Sequence, residues 1–464
     1  LSGPLDKALE MADPAARVAM RACTVIPLRH RVDIRASERH EGDRAEEEVF
    51  VMSVTAREQL RPRTLRVTQP LLLRNIRPMG GEATDLLIRD GIIAAAGQGL
   101  DAPEALVEEG LGALALPGLV EAHTHLDKTL WGMGWRPHQA GPALMDKIET
   151  ERRLKKEWNI DPARQSARQV VQSLRHGTTH IRSHVDVDDA VGLAGMEGVL
   201  ATRQAYAHCM DIQTIAFPQS GLLIRPGVAA LLEDAMRMGA DGVGGLDPCL
   251  IDRDPKGHLD VVFGLAGKFG KPVDIHLHEP GQVGAFSMEL IAERTQALGM
   301  QGQVTISHAF CLGDADAAMV DRLLDLLAAS GIAIMTTGPA GRPAPPVAKL
   351  RARGITVCAG SDGIRDTWNP YGTGDMLQRA MLVGLRNNFR RDDEVAMALD
   401  TCTSGGAAVM GVSGYGLTAG CVADLVLVAA ETLAEAVVSQ PARALVVKRG
   451  KVVARDGTAL VEAP

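Results

Sequence analysis

Aromatic residues make up only 3% of this chain of 464 residues, although 46% of it is hydrophobic. The core must therefore be built mainly from Ala, Val, Leu, Ile and Met, which suits stacked helices and parallel strands and argues against an all-β sandwich. Paired cysteines are also missing. The seven cysteines lie scattered at 23, 209, 249, 311, 358, 402 and 421 with no CxxC spacing, which argues for free thiols in a reducing compartment. No stretch gathers lysine and arginine with interleaved aromatics, and the formal charge of −8 is modest for the length, so no nucleic-acid partner is expected. There is no run of about 18 uncharged apolar residues, and the start of the sequence lacks the basic-then-apolar layout of a secretory signal. The expectation is a cytoplasmic protein with no membrane partner.

What is present divides into three textures. Residues 1–64 show little sustained apolar periodicity and include the charge-dense stretch from Arg29 to Glu48, which reads as a weakly ordered N-terminal extension with Met52 as a natural start. From Leu65 the runs LRVTQPLLLRNIRPM and ATDLLIRDGIIAAAG are β-rich, with Asp90-Gly91 between two apolar segments, a hairpin signal. The far end repeats that texture in ADLVLVAA and ALVVKRGKVVARDG, with Arg449-Gly450 as another tight connection. Residues 65–118 and 412–464 are thus expected to form one small sheet domain from both chain ends. Between them, 119–411 alternates apolar strand candidates with amphipathic helical runs such as LLEDAMRMG and DRLLDLLAASG, closed by glycine at the expected C-cap, the rhythm of a parallel sheet. Eight strand candidates stand at 119–125, 179–187, 211–218, 242–248, 272–278, 304–310, 332–337 and 355–362, the number that an α/β fold of the closed (β/α)8 TIM-barrel kind needs.

Polar residues gather at the C-terminal ends of those runs, the rim where catalytic groups converge in such a barrel. His123, His125, His184, Gln219, Asp247, His276, His278, Glu279, His308 and Asp362 all fall at or just past an apolar run, although only 13 histidines are spread over the chain. In His123-Thr124-His125 the two imidazoles point to the same side of a strand, so both can reach one ion.

The blocks GLVEAHTHLDKT, IRSHVDVD, DIQTIAFPQSG, GADGVGGLDP, VDIHLHEPG, TISHAF and AGSDGIRDTWNPYGTGDM occur in this order. Together they resemble the amidohydrolase superfamily, in its branch of cytosine deaminase and N-isopropylammelide amidohydrolase, over about residues 65–464. The resemblance implies His123 and His125 as metal ligands from the first strand, His276 from the fifth and Asp362 from the eighth. Three neutral imidazoles and a carboxylate leave an open position for water on one Zn2+ or Fe2+ ion, whose charge lowers the pKa of that water. The fourth strand, GVGGLDP, offers no lysine to bridge a second ion. The same resemblance makes Glu279 the carboxylate that protonates the ring nitrogen and His308 the group that polarises the water or stabilises the oxyanion. It also has Gln219 read an N–H/C=O edge. Asp362 doubles as a proton acceptor, Trp368 is a flat wall against the ring, and His184 lies behind the ligands or lines the substrate.

The implied activity is hydrolytic deamination of a small heterocycle, a cytosine-like aminopyrimidine, with hydroxide on the metal attacking the amidine carbon and ammonia leaving. Glu279 favours that reading, because the related N-isopropylammelide enzymes carry Asp there. Gly363 departs from it, since cytosine deaminase-like sequences have a second Asp at that point; the missing side chain is expected to enlarge the pocket and to bring substituted pyrimidines and triazines into range. The alternatives are removal of an alkylamine from an aminotriazine, opening of a cyclic amide, and an inactive barrel scaffold, which would show broken ligands. The zinc deaminase signature built on HxE and PCxxC is absent. A homo-oligomer acting on a small-molecule heterocycle is expected.

Overall fold

The computed structural model describes residues 69–464, so the extension expected over 1–64, Met52 included, lies outside the described residues. Residues 69–464 lie within one compact unit. Its eight parallel strands run in sequence order around a barrel: Leu119–Thr124, Thr178–Asp186, Asp211–Phe217, Gly242–Leu246, Val273–His276, Val304–Ser307, Ala333–Thr336 and Val357–Ala359. Each coincides with one of the apolar runs read from the sequence. The strands are almost wholly buried, as parallel strands covered by helices must be. Helices close at glycine where the sequence suggested it: Val228–Met238 ends on Gly239 in the left-handed conformation, φ 104°.

The second sheet joins both chain ends. Leu114–Pro117 pairs with Leu425–Val428 antiparallel, and nine strands in all complete the sheet. The two expected hairpins form at Asp90-Gly91, φ 49° and 80°, and at Arg449-Gly450, φ 46° and 73°; positive φ at both central residues is the turn whose twist matches the flanking strands. Buried cations pin this sheet under the barrel. Arg443 donates to the carbonyl of His176 at 3.0 Å and pairs with Asp375, while Lys448 donates to Thr179 O at 3.1 Å and to Asp211 and Asp424 at 2.7 Å each.

Inside the barrel the second strand stacks His180, Arg182 and His184 in successive layers, all buried. Arg182 crosses the interior to Asp274 at 3.0 Å and Gln213 at 2.7 Å, the pairing a buried guanidinium requires. The seam between the first and eighth strands is closed by two devices. At the upper rim Asp362 N donates to His123 O at 2.9 Å, and Thr124 bridges Asp362. Lower down, Val120 N and Ala359 N donate instead to Cys402 O and Thr401 O, at 2.9 and 2.8 Å. Among the described residues no helix is long and apolar enough to cross a membrane.

The seam leaves no room for a side chain at Gly360, where an added Cβ would lie 2.4 Å from His123 O and 2.6 Å from His123 N. Gly360→Ala is expected to lower stability by about 1–3 kcal/mol, the cost of overpacking a tight interior. A thermal or denaturant melt measures it; a stability equal to the parent would mean that the seam yields without strain.

Candidate active site

Four side chains converge at the upper rim. His123 sits on the first strand and His125 just beyond it, His276 ends the fifth, and Asp362 follows the eighth. One donor atom from each lies within 4.8 Å of every other. Asp362 Oδ1 is 3.2 Å from His125 Nε2 and 3.7 Å from His123 Nε2. His123 Nε2 and both nitrogens of His276 are buried without any hydrogen-bond partner, a costly state for polar atoms unless a ligand satisfies them. Although burial opposes the anion, contacts with His123 and His125 hold the Asp362 carboxyl well below its usual range. Burial, with neighbouring imidazoles, pushes His276 well below its ordinary value. Neutral imidazole beside ionised carboxylate is the donor set that fits one divalent transition ion.

Three other acid–histidine groups exist among the described residues, around His123/His184/Asp274, His125/Asp127/Asp186 and His180/Asp211/Asp424. Each already holds an internal cation: Arg182 on Asp274, Lys128 and Lys155 on Asp186, and Lys448 on Asp211 and Asp424. The rim group has no lysine or arginine paired to Asp362. That contrast singles it out.

The imidazole rings of this group are held from behind. Ser307 Oγ donates to Asp274 Oδ1 at 2.6 Å and stands 3.0 Å from His123 Nδ1. Because its proton is committed to the carboxylate, Ser307 accepts from His123 Nδ1–H, which leaves Nε2 as the lone-pair nitrogen facing the other ligands. Asp186 Oδ1 lies 3.6 Å from His125 Nδ1. Phe217 stacks on His276, centroids 4.0 Å apart. His184 packs on His123 at 4.0 Å, does not line the cleft, and is pushed down to about 3 by burial and His123; it supports the ligands as a neutral ring.

A narrow cleft opens onto the group, lined by residues that include Lys128, Phe217, Gln219, His278, Asp366 and Trp368. Trp368 and Phe217 give it flat apolar walls. Lys128 was not singled out in the sequence. It is buried because Asp186, Glu151 and Gln219 surround its ammonium, at 3.1, 3.3 and 2.7 Å, and it lies 5.6 Å from the Trp368 ring centroid. Gln219 lines the cleft; its Oε1 accepts from Lys128 at 2.7 Å and keeps one lone pair free, and its N–H groups remain to meet a ligand.

Two expectations change here. Glu279 is fully buried, its carboxylate accepting from the amides of Cys249 and Leu250 at 2.7 and 2.8 Å and from Ser287 Oγ; it ties down the loop after the fourth strand and does not line the cleft. The neighbouring His278 does, with Nδ1 held by Asp247 at 2.8 Å. Nor does Gly363 enlarge the pocket, because the Asp366 carboxylate fills the space, Oδ2 lying 1.8 Å from where a Cβ would stand. His308 lies behind the lining, its ring 5.1 Å from those of His123 and His276, with Nε2 buried and unpartnered. Asp247, His308 and Asp362 have φ of 37°, 71° and 61°, strain that surrounding structure must hold.

The sequence matches the amidohydrolase family over residues 111–454. It is 34% identical over 353 residues to N-isopropylammelide isopropyl amidohydrolase of Pseudomonas sp. strain ADP, covering 74% of this chain and 87% of that protein. Among solved structures, N-isopropylammelide isopropylaminohydrolase from Burkholderia multivorans superposes with a TM-score of 0.82 and 52% identity, over 85% of this chain and 100% of the other. The 5-methylcytosine deaminase of Klebsiella pneumoniae, liganded with 5-fluorocytosine, gives 0.74 and 30%, over 84% of this chain and 99% of the other.

Removing the acceptor behind His123 tests the support. Ser307→Ala is expected to weaken metal affinity about 10- to 100-fold, the usual effect of losing a ligand's hydrogen-bond partner. Competition with a chromophoric chelator measures it, and an unchanged affinity would mean that packing alone orients His123.

Proposed function

Because the chain belongs to the amidohydrolase family, we propose that it hydrolyses the bond between a ring carbon and an exocyclic amine of a small nitrogen heterocycle, with an alkylamino-substituted oxo-triazine as the substrate class. The observation that carries this is the single rim group lacking an internal cation, opening onto a narrow cleft with aromatic walls. The triazine reading is supported by the 52% identical relative and by the absence from the cleft of Glu279, the residue that favoured ring-amine deamination. A second reading, deamination of a cytosine-like aminopyrimidine, draws support from the 30% identical deaminase.

One Zn2+ or Fe2+ ion held by His123, His125, His276 and Asp362 would supply the Lewis acidity that makes water nucleophilic near neutral pH. The chain's own residues do the rest. Trp368 and Phe217 sandwich the ring. The Gln219 amide N–H groups donate to ring oxygen or nitrogen, and the Lys128 ammonium, held by Asp186, Glu151 and Gln219, adds positive charge beside the cleft that favours negative charge developing as the carbon becomes tetrahedral. Asp362 accepts a proton from the attacking water. His278, oriented through Nδ1 by Asp247, passes a proton from Nε2 to the departing amine. His308, kept neutral by burial, polarises the water or stabilises the oxyanion. Water thus contributes OH to the ring and H to the amine, giving an oxo ring and a free amine.

His278→Asn is expected to cut kcat on an isopropylamino-dioxo-triazine by about 10²-fold or more with little change in metal content, the size of a positioned general acid. Glu279→Gln is expected to act mainly on stability by disturbing the loop it anchors. Measuring isopropylamine and ammonia release for both variants separates the roles. A dead Glu279→Gln beside an active His278→Asn would return the proton to Glu279 and favour the aminopyrimidine reading.

A further inference from the structure

The cleft presents donors in the free N–H groups of Gln219, with the charge of Lys128 beside them. Asp366 adds an acceptor. Its Oδ1 takes the backbone N–H of Trp368 and of Asn369, both at 2.8 Å, and this fixes the carboxylate in one orientation. Its Oδ2 accepts no hydrogen bond from any described residue, although the residue is only 2% exposed and lines the cleft. A carboxylate oxygen that lines a cleft and has no donor from the protein is free to accept one from a ligand. The same oxygen stands 1.8 Å from the place of a Cβ on Gly363, so any other residue there would drive it out.

We propose that Asp366 is a specificity determinant that accepts a hydrogen bond from an N–H of the bound ring, and that Gly363 is the vacancy that admits its carboxylate to the cleft. This rests on the reading of the cleft as a ring-hydrolase site and narrows its substrate class: the ring must offer an N–H to Asp366 as well as an acceptor to Gln219, as a lactam-form oxo-triazine does. A ring methylated at that nitrogen presents no donor and adds bulk against a carboxylate, so the site discriminates against it.

Calorimetric binding to the metal-loaded protein tests this with two probes, 2,4,6-trioxo-triazine, the ring product of the proposed reaction, and its N,N′,N″-trimethyl derivative, which has no N–H in any orientation. Wild type is expected to prefer the unmethylated ring. Asp366→Asn keeps an oxygen for the Trp368 and Asn369 amides but replaces the free oxygen by a donor, and it should weaken the unmethylated ring about 10- to 100-fold and erase the preference. Gly363→Ala should do the same by displacing the carboxylate. A preference retained in Asp366→Asn, even alongside a lowered Tm, would overturn the inference and leave Asp366 as a loop anchor. If wild type showed the preference and Asp366→Asn lost it, yet no amine were released from any ring substrate, the inference would stand and the proposed reaction would fall. No binding of either ring by wild type would overturn both.

Discussion

Buried imidazole nitrogens without partners are rare because each forfeits hydrogen bonds that water would have made. Here His123 Nε2 and both nitrogens of His276 share that condition at one spot beside an ionised Asp362, and everything around them is arranged so that no internal cation relieves it. Elsewhere in the barrel the same chemistry is closed off: Asp274 has Arg182, Asp186 has Lys128 and Lys155, Asp424 has Lys448. Among the acid–histidine groups of the described residues, the site is thus the one whose carboxylate no lysine or arginine pairs. A divalent ion would complete it.

That constraint explains features that otherwise look unrelated. The barrel must close tightly at its upper rim, because the pair that closes it, His123 O with Asp362 N, also sets two ligands side by side. Gly360 serves the closure. Asp274 carries two duties, neutralising Arg182 in the interior and, through Ser307, fixing the ring of His123. The cluster of Lys128, Lys155, Glu151 and Asp186 under the cleft is internally balanced, so it can hold an ammonium against the substrate without drawing Asp362 away from the ligands.

The sequence was most legible where one periodicity governs. The eight apolar runs, the glycine at the end of the helix before the fourth strand, the two hairpins and the HxH alternation depend on spacing alone, and the structure has them in place. Loop direction was not legible. Glu279 stands three residues past His276, but which way its side chain turns depends on amides of Cys249 and Leu250 from another loop. Lys128 sat in plain view within the first motif; the signal that could have found it is the acidic partner set Glu151 and Asp186, which only the fold assembles. Gly363 was read as lost volume because the sequence does not show that the chain folds back to place Asp366 there.

Metal titration of chelator-stripped protein reaches the central claim most directly, followed by amine release from an isopropylamino-dioxo-triazine. The account predicts no activity in the stripped protein and a linear recovery with Zn2+ or Fe2+ that levels off at about one equivalent per chain, as a single His3Asp group requires. Full activity without metal, or a plateau reached only at two equivalents, would contradict it.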